Sequence, residues 1–234
     1  MKLLAFELST EACSVALHAD GQVLEHFEIA PRRHAELALP WAERLMAEAG
    51  IARSQLDAIA LGRGPGAFTG VRLAIALAQG IALALDRPLL PVSTLQALAM
   101  RAPANAMQIL AAIDARMGEV YVARYQRVDG LPQLQGAERV CPPQAVELAG
   151  GVRCHGVGTG FAAANAAVVA QLGDALLGVD AMALPRASDV LALALPGLAR
   201  GEGIAPERVE PAYLRDNVAL TLVEQQALRA SKAK

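Results

Sequence analysis

The stretch Ala58-Ile59-Ala60-Leu61-Gly62-Arg63-Gly64-Pro65-Gly66-Ala67-Phe68-Thr69-Gly70-Val71-Arg72 decides the fold. Residues 58–61 are an apolar run of strand length, residues 62–70 a glycine-rich loop, and residues 71–85 a long apolar segment of helical length. Strand, loop and helix in that order are the building unit of α/β folds. On the N-terminal side, residues 33–49 have helical spacing, with Leu37, Trp41 and Leu45 on one stripe and Glu36, Glu43, Arg44 and Glu48 largely elsewhere. Gly50 fits the left-handed position past its end, and Pro40 predicts a bend inside it. Earlier still, residues 2–8, 14–18 and 22–29 read as three strands, the last two joined by Asp20-Gly21, a strong signal for a tight primed hairpin turn. On the C-terminal side, residues 89–92 form a strand and Ser93 can cap a helix running to about residue 101.

The same order then restarts. Residues 107–113, 119–125 and 131–140 read as strands, separated by a turn at residues 114–118 and by Asp129-Gly130. Pro142-Pro143 opens a short helix to residue 148. A strand at 152–155 leads into Gly156-Val157-Gly158-Thr159-Gly160 and an Ala-rich helix over 161–172, followed by a weak strand at 176–179 and a helix over 188–200. A meander followed by helix–strand alternation is a mixed sheet flanked by helices. Two of them in tandem predict an α/β chain of two ribonuclease-H-like lobes, the architecture of actin, heat-shock ATPases and sugar kinases. The lobes are expected over residues 1–103, completed by 206–234, and over 104–205.

Composition narrows the function. The 234 residues are 54% hydrophobic and 19% charged, which excludes a disordered chain, and aromatics at 3% leave the core to aliphatic residues. A net charge of −2 argues against a chain that grips nucleic acid by itself. Cys13, Cys141 and Cys154 have unrelated spacings, so neither a disulfide framework nor a zinc site follows. Glu7 interrupts the apolar N-terminus, against a signal peptide, and residues 71–85 contain Arg72 and Gln79 and fall short of the ~20 residues of a membrane span. The expectation is a soluble cytoplasmic protein with no membrane contact.

The loop at residues 62–70 frees backbone N–H groups at the start of a helix, good chemistry for a phosphate, yet it lacks the Lys-Ser/Thr ending of a Walker loop. It reads equally as a tight strand-to-helix connection packed under a neighbouring lobe, and so does the turn at 156–160. Glu7, followed by Ser9 and Thr10, and Asp114 close the first strand of each half. Paired across a cleft they could hold magnesium on nucleotide phosphates, or each could accept hydrogen bonds from its own turn. The candidate nucleotide cleft is therefore Glu7, Ser9, Thr10, Gly64, Gly66, Asp114, Gly158 and Gly160, with weak ATP or ADP and magnesium as its ligand. No His-x-x-x-His, Gly-x-Ser-x-Gly or Ser/His/Asp arrangement is present, so no catalytic residue and no protein metal site is expected. Ala74, Ala78 and Ala82, and likewise Ala76, Gly80 and Ala84, form rows of small residues that let another helix approach, in the core or at an interface.

Residues 4–16, Arg33-His34-Ala35-Glu36, the long glycine stretch 62–72, residues 113–121 and Pro211-Ala212-Tyr213-Leu214-Arg215 together resemble the TsaB (YeaZ) family, bacterial proteins required to make threonylcarbamoyladenosine at position 37 of tRNAs. The resemblance covers nearly the whole chain. It implies a non-catalytic relative of the transferase TsaD, which carries a His-x-x-x-His metal pair where this chain has Thr94 and Leu98; a hydroxyl and an aliphatic chain cannot replace two imidazoles. The family usually has Asp where Glu7 stands. The resemblance further implies assembly through helices of the first lobe, with Leu37, Trp41, Leu45, Arg72, Ala74, Ala78 and Ala82 as the partner interface. The partners are a TsaD-type transferase, a TsaE-type ATPase docked on that pair, tRNA through the complex, and a second copy as homodimer when TsaD is absent. No cofactor is then required. The rival reading is an actin-fold ATPase or phosphotransferase acting on a small molecule through Glu7, Asp114 and both glycine turns.

Overall fold

The computed structural model describes residues 1–215. Strands β1 (Lys2–Glu7), β2 (Ala12–Ala19) and β3 (Gln22–Ile29) form the expected meander. Asp20 and Gly21 adopt φ of 50° and 92°, the double left-handed conformation of a primed turn. Helix α1 (His34–Glu48) follows, then β4 (Ala58–Gly62), α2 (Phe68–Leu85), β5 (Leu89–Val92) and α3 (Thr94–Ala99). Ser93 caps α3 by accepting from the Gln96 amide at 3.2 Å. Helix α1 runs unbroken through Pro40, which lies on its exposed face.

The second half comprises β6 (Gln108–Arg116), β7 (Glu119–Val128), β8 (Leu131–Cys141), β9 (Cys154–Val157), α4 (Ala163–Leu172), β10 (Leu176–Asp180) and α5 (Ala187–Ala199). The sheets have the orders β3-β2-β1-β4-β5 and β10-β9-β6-β7-β8, identical when each half is numbered from its own first strand. In both, the second strand is antiparallel to the first and the fourth is parallel to it. The two tandem ribonuclease-H-like lobes are thus present, with mixed sheets flanked by helices.

Three local expectations are corrected. Residues 142–148 form only a single 3₁₀ turn, Pro143–Ala145, because the segment is short, ends at left-handed Gly150 and Gly151, and gives Val146 to the core. Strand β9 lies two residues later than expected and runs through Gly156 and Val157, which pair with Leu110 and Ala111. Phe161 belongs to a 3₁₀ turn, Thr159–Phe161, and Ala164, Asn165 and Ala166 in α4 are left-handed.

Alternation along β1 sorts its side chains. Leu4 and Phe6 enter the core under α1 and α2, while Leu3 and Ala5 face the opposite layer, with Ala16, Ala58 and Ala60 around them. That layer is closed by Ala187, Val190, Leu191 and Ala194 of α5. Helix α5 therefore covers the first sheet, and α3 in turn packs Leu95, Leu98 and Ala99 on Ile109, Ala111 and Tyr125 of the second. The boundary that assigned all of 104–205 to the second lobe is corrected accordingly: the last helix of each half serves the other half's sheet. Local pattern makes both helices largely apolar but carries no information on which sheet takes them.

Of the segment 206–234, residues 206–215 are described and the rest lies outside the described residues. Pro206 O accepts from Gln79 Nε2 at 2.8 Å, Val209 enters the first core and the Ala212 amide donates to Arg63 O at 2.8 Å. Helix α2 has 18 residues and is, by length and composition, apolar enough to cross a membrane, so the length argument against a span does not hold. Core packing accounts for one side of it, where Ala74, Ala78 and Ala82 are fully buried beside β4 residues Ile59 and Leu61.

Candidate functional site

Glu7 shares the face of Leu3 and Ala5 and is 1% exposed at the end of β1. The Ser9 amide donates to its Oε1 at 2.8 Å, and Thr94 Oγ1 lies 3.3 Å from its Oε2 and 3.0 Å from Ser9 Oγ. Burial pushes the Glu7 carboxyl above its ordinary pKa, against the opposing pull of the Ser9 and Thr94 hydrogen bonds. The carboxyl lies directly over Gly62: a Cβ there would sit 1.9 Å from Glu7 Oε2.

The loop between β4 and α2 is equally close to the first strand. A Cβ on Gly66 would fall 2.3 Å from Ser9 O, and one on Gly70 would fall 2.0 Å from Leu8 O. Three of the loop amides are taken within the protein. Arg63 N donates to Val92 O at 2.9 Å, Gly64 N to Thr94 Oγ1 at 3.2 Å and Ala67 N to Ser9 O at 2.7 Å. The glycines of this loop pack as in a tight strand-to-helix connection, and the Gly64 amide is taken by Thr94.

In the second half, Asp114 accepts from the Arg116 amide at 2.8 Å and from the Arg116 guanidinium at 3.1 Å, so its partners come from its own turn. A Cβ on Gly158 would meet Ala112 O at 2.3 Å and Leu98 Cδ2 at 2.4 Å, and one on Gly160 would meet the Ala112 Cβ at 2.7 Å. Thr10 is held in its turn, with Oγ1 accepting from the Ala12 amide at 3.3 Å. Thus Glu7, Ser9 and Gly64 are gathered around Thr94, Gly66 packs on Ser9, and Gly158 sits against Leu98 one helical turn later. Helix α3 touches both glycine turns, through Thr94 at the first and Leu98 at the second. Glu7 and Asp114 share no partner, and among the described residues no three of His, Cys, Asp and Glu come together as a metal-binding group.

A shallow depression of about 480 Å³ does lie between the lobes, lined by Arg63, Ser93, Gln96, Tyr125, Glu138 and Leu214 among others. Glu138 there accepts from Tyr125 Oη at 3.0 Å and from Ser93 Oγ. Its residues come from separate segments, so nothing local in the sequence announces it.

The expected partner interface divides. Ala74, Ala78, Ala82 and Leu45 are buried inside the chain's own first core and cannot meet a partner, which corrects that part of the assignment. Leu37 and Trp41 are half-buried on α1, with the Trp41 ring 5.6 Å from His26. Arg72 is exposed. The solvent-facing side of α2 is the other small-residue row, Ala76, Gly80 and Ala84, with Phe68, Thr69 and Leu83 exposed beside it and Leu73, Leu77 and Ile81 half-buried at its edges. The phase of the helix is set by Gly70, which must sit against Leu8 O and lies on one row with Ala74, Ala78 and Ala82. That glycine is the signal that distinguishes the two rows.

With the geometry in view, comparison with known proteins is specific. Residues 26–222 match the family model TsaD: tRNA N6-adenosine threonylcarbamoyltransferase. The tRNA threonylcarbamoyladenosine biosynthesis protein TsaB of Escherichia coli (strain K12) is 42% identical, over 94% of this chain and 96% of that protein. The protein of that name from Haemophilus influenzae is 38% identical, over 93% of this chain and 95% of its own length. The solved structure of YeaZ from Pseudomonas aeruginosa superposes with a TM-score of 0.85 at 48% identity, covering 91% of this chain and 99% of that one.

Proposed function

Because the chain belongs to the TsaB family, within the span of the TsaD family model, we propose that it is a non-catalytic subunit of the tRNA threonylcarbamoyladenosine modification complex. It binds and supports a TsaD-type transferase in the cytoplasm and with it forms the docking site of a TsaE-type ATPase. tRNA reaches it through the complex, and a second copy occupies the same face when TsaD is absent. The single observation that carries the reading is the outer side of α2, where Leu73, Ala76, Leu77, Gly80, Leu83 and Ala84 offer an apolar, small-residue surface for a partner helix. A helix pair through this face fits a specific interface of roughly 1,200–2,000 Å².

The non-catalytic assignment is supported by α3. Thr94, at the first position of the sister transferase's metal pair, is tied to Glu7 and Ser9, and Leu98, at the second, packs against Gly158. We infer also that no cofactor is required, since the glycines of both turns lie against strand-end carbonyls, Leu8 O and Ser9 O in one and Ala112 O in the other. Titration calorimetry of the chain with ATP and magnesium checks this: no binding heat is expected, and saturable binding would overturn it.

The interface is tested by Gly80→Arg. Nothing lies within 4 Å of a Cβ at Gly80, so the variant keeps its fold while placing a charged chain in the contact. Loss of co-elution with TsaD is expected. Co-elution equal to wild type would remove the α2 interface.

A further inference from the structure

At the first turn of α2 the chain builds an arginine with its donors turned outward. The Arg72 guanidinium lies 3.5 Å over the Phe68 ring, one helical turn earlier, and its Nε donates to Tyr213 Oη at 2.6 Å. The Phe68 and Tyr213 rings stack at 5.9 Å with 21° between their planes. Both rings are about half exposed, at 56% and 50%, and Arg72 is exposed. One planar cation is thus held by a ring below and a phenol at its Nε, while its two Nη groups have no hydrogen-bond or ion-pair partner among the described residues. Fixing a guanidinium in this way lowers the ordering cost of each further hydrogen bond it makes.

Resting on the partner interface proposed above, we propose that Arg72 is its specificity-determining residue and takes a carboxylate of the partner protein through both Nη groups. The group fits a fork-to-fork pair, because Nη1 and Nη2 present parallel donors that match the two oxygens of a carboxylate. Position supports a protein occupant: Phe68 and Arg72 continue the apolar outer side of α2 at its N-terminal end. Arg116 and Arg215 are each paired within the chain, with Asp114 at 3.1 Å and Glu119 at 2.6 Å, whereas Arg72 has no ion-pair partner among the described residues. Tyr213, in the Pro211–Arg215 segment that also anchors to Arg63 O and Glu119, is the positioning residue for Arg72.

The test is the affinity of purified full-length chain for TsaD at two salt concentrations, with tRNA binding by the assembled complex measured in parallel. Arg72→Ala is expected to weaken TsaD binding about tenfold or more and to flatten its salt dependence. Arg72→Lys is expected to weaken it nearly as much, because an ammonium keeps the charge but not the bidentate plane. Tyr213→Phe keeps the ring and loses the orienting phenol, and is expected to cost about threefold to fivefold. Gly80→Arg serves as the reference that breaks the interface itself. If Gly80→Arg abolishes binding while both Arg72 variants bind as wild type with unchanged salt dependence, this inference falls and the interface stands. If Gly80→Arg binds normally, the interface falls and this inference with it. If the Arg72 variants leave TsaD affinity intact and weaken tRNA binding instead, the anion is an RNA phosphate and the proposal is overturned.

Discussion

In the first half, the glycine loop at residues 62–70 opens an 18-residue helix with an apolar outer side; in the second, the equivalent turn at 156–160 opens a 3₁₀ turn and a ten-residue helix with three left-handed residues. Yet the contact beneath the two turns is the same. Gly70 presses on Leu8 O at the end of β1, and Gly158 presses on Ala112 O near the end of β6. The comparison teaches that the glycines here serve close packing of a turn on the central strand, a demand of the shared topology, while the surface available to a partner is set by what the following helix exposes. Among the described residues, only the first half carries a long helix with a small-residue outer row.

The largest expected effect tests the shared part of that comparison. Gly70→Ala should destabilise by more than about 4 kcal/mol in urea denaturation, because the methyl group meets backbone that cannot yield. Gly158→Ala, where φ is +108°, should behave alike. Tolerance of either substitution within about 1 kcal/mol would break the parallel between the halves.

The next effect tests the difference. Leu83→Asp on α2, at a residue 64% exposed, should leave stability within about 0.5 kcal/mol and reduce TsaD affinity about a hundredfold. Val169→Asp on α4 should leave that affinity unchanged; equal losses from both would show that the surface is not confined to the first half.

A smaller effect sharpens the picture of how the halves are joined. Asp189 of α5 lies 3.7 Å from Arg101, just past α3, where the two crossed-over helices meet. Burial pushes its carboxyl up to about 6 from an ordinary 3.8, against the attraction of Arg101, with Glu25 adding to the rise. A carboxyl raised on folding contributes its stability fully below the unfolded pKa and loses it as pH rises through the folded one. Wild type should therefore lose stability, of order 2 kcal/mol, between about pH 4 and pH 6 relative to Asp189→Asn. Parallel pH profiles for the two proteins would show that this carboxyl does not titrate in the fold.

Much of this architecture is legible from short-range pattern. Asp20-Gly21 and Asp129-Gly130 both take the left-handed pair of a primed turn, Ser93 caps its helix, and the strand order repeats in both halves. What escapes is long-range. Helices α3 and α5 have local signals as good as any, but the sheet each one covers depends on the packing of distant alanines such as Ala5, Ala58 and Ala60. At the candidate site, carboxylates at strand ends read as chemistry until the third dimension supplies their partners: the Ser9 amide and Thr94 for Glu7, and Arg116 for Asp114. On α2 two equally small rows compete, and only the demand of Gly70 on Leu8 decides which one faces inward.

The most direct measurement is reconstitution of the tRNA modification with TsaD, TsaE, tRNA and threonylcarbamoyl adenylate held constant, comparing wild-type chain, Gly80→Arg and no addition. The account predicts full modification only with wild type, and the same low level for the variant as for omission. Undiminished modification without the chain, or turnover by the chain alone, would contradict it.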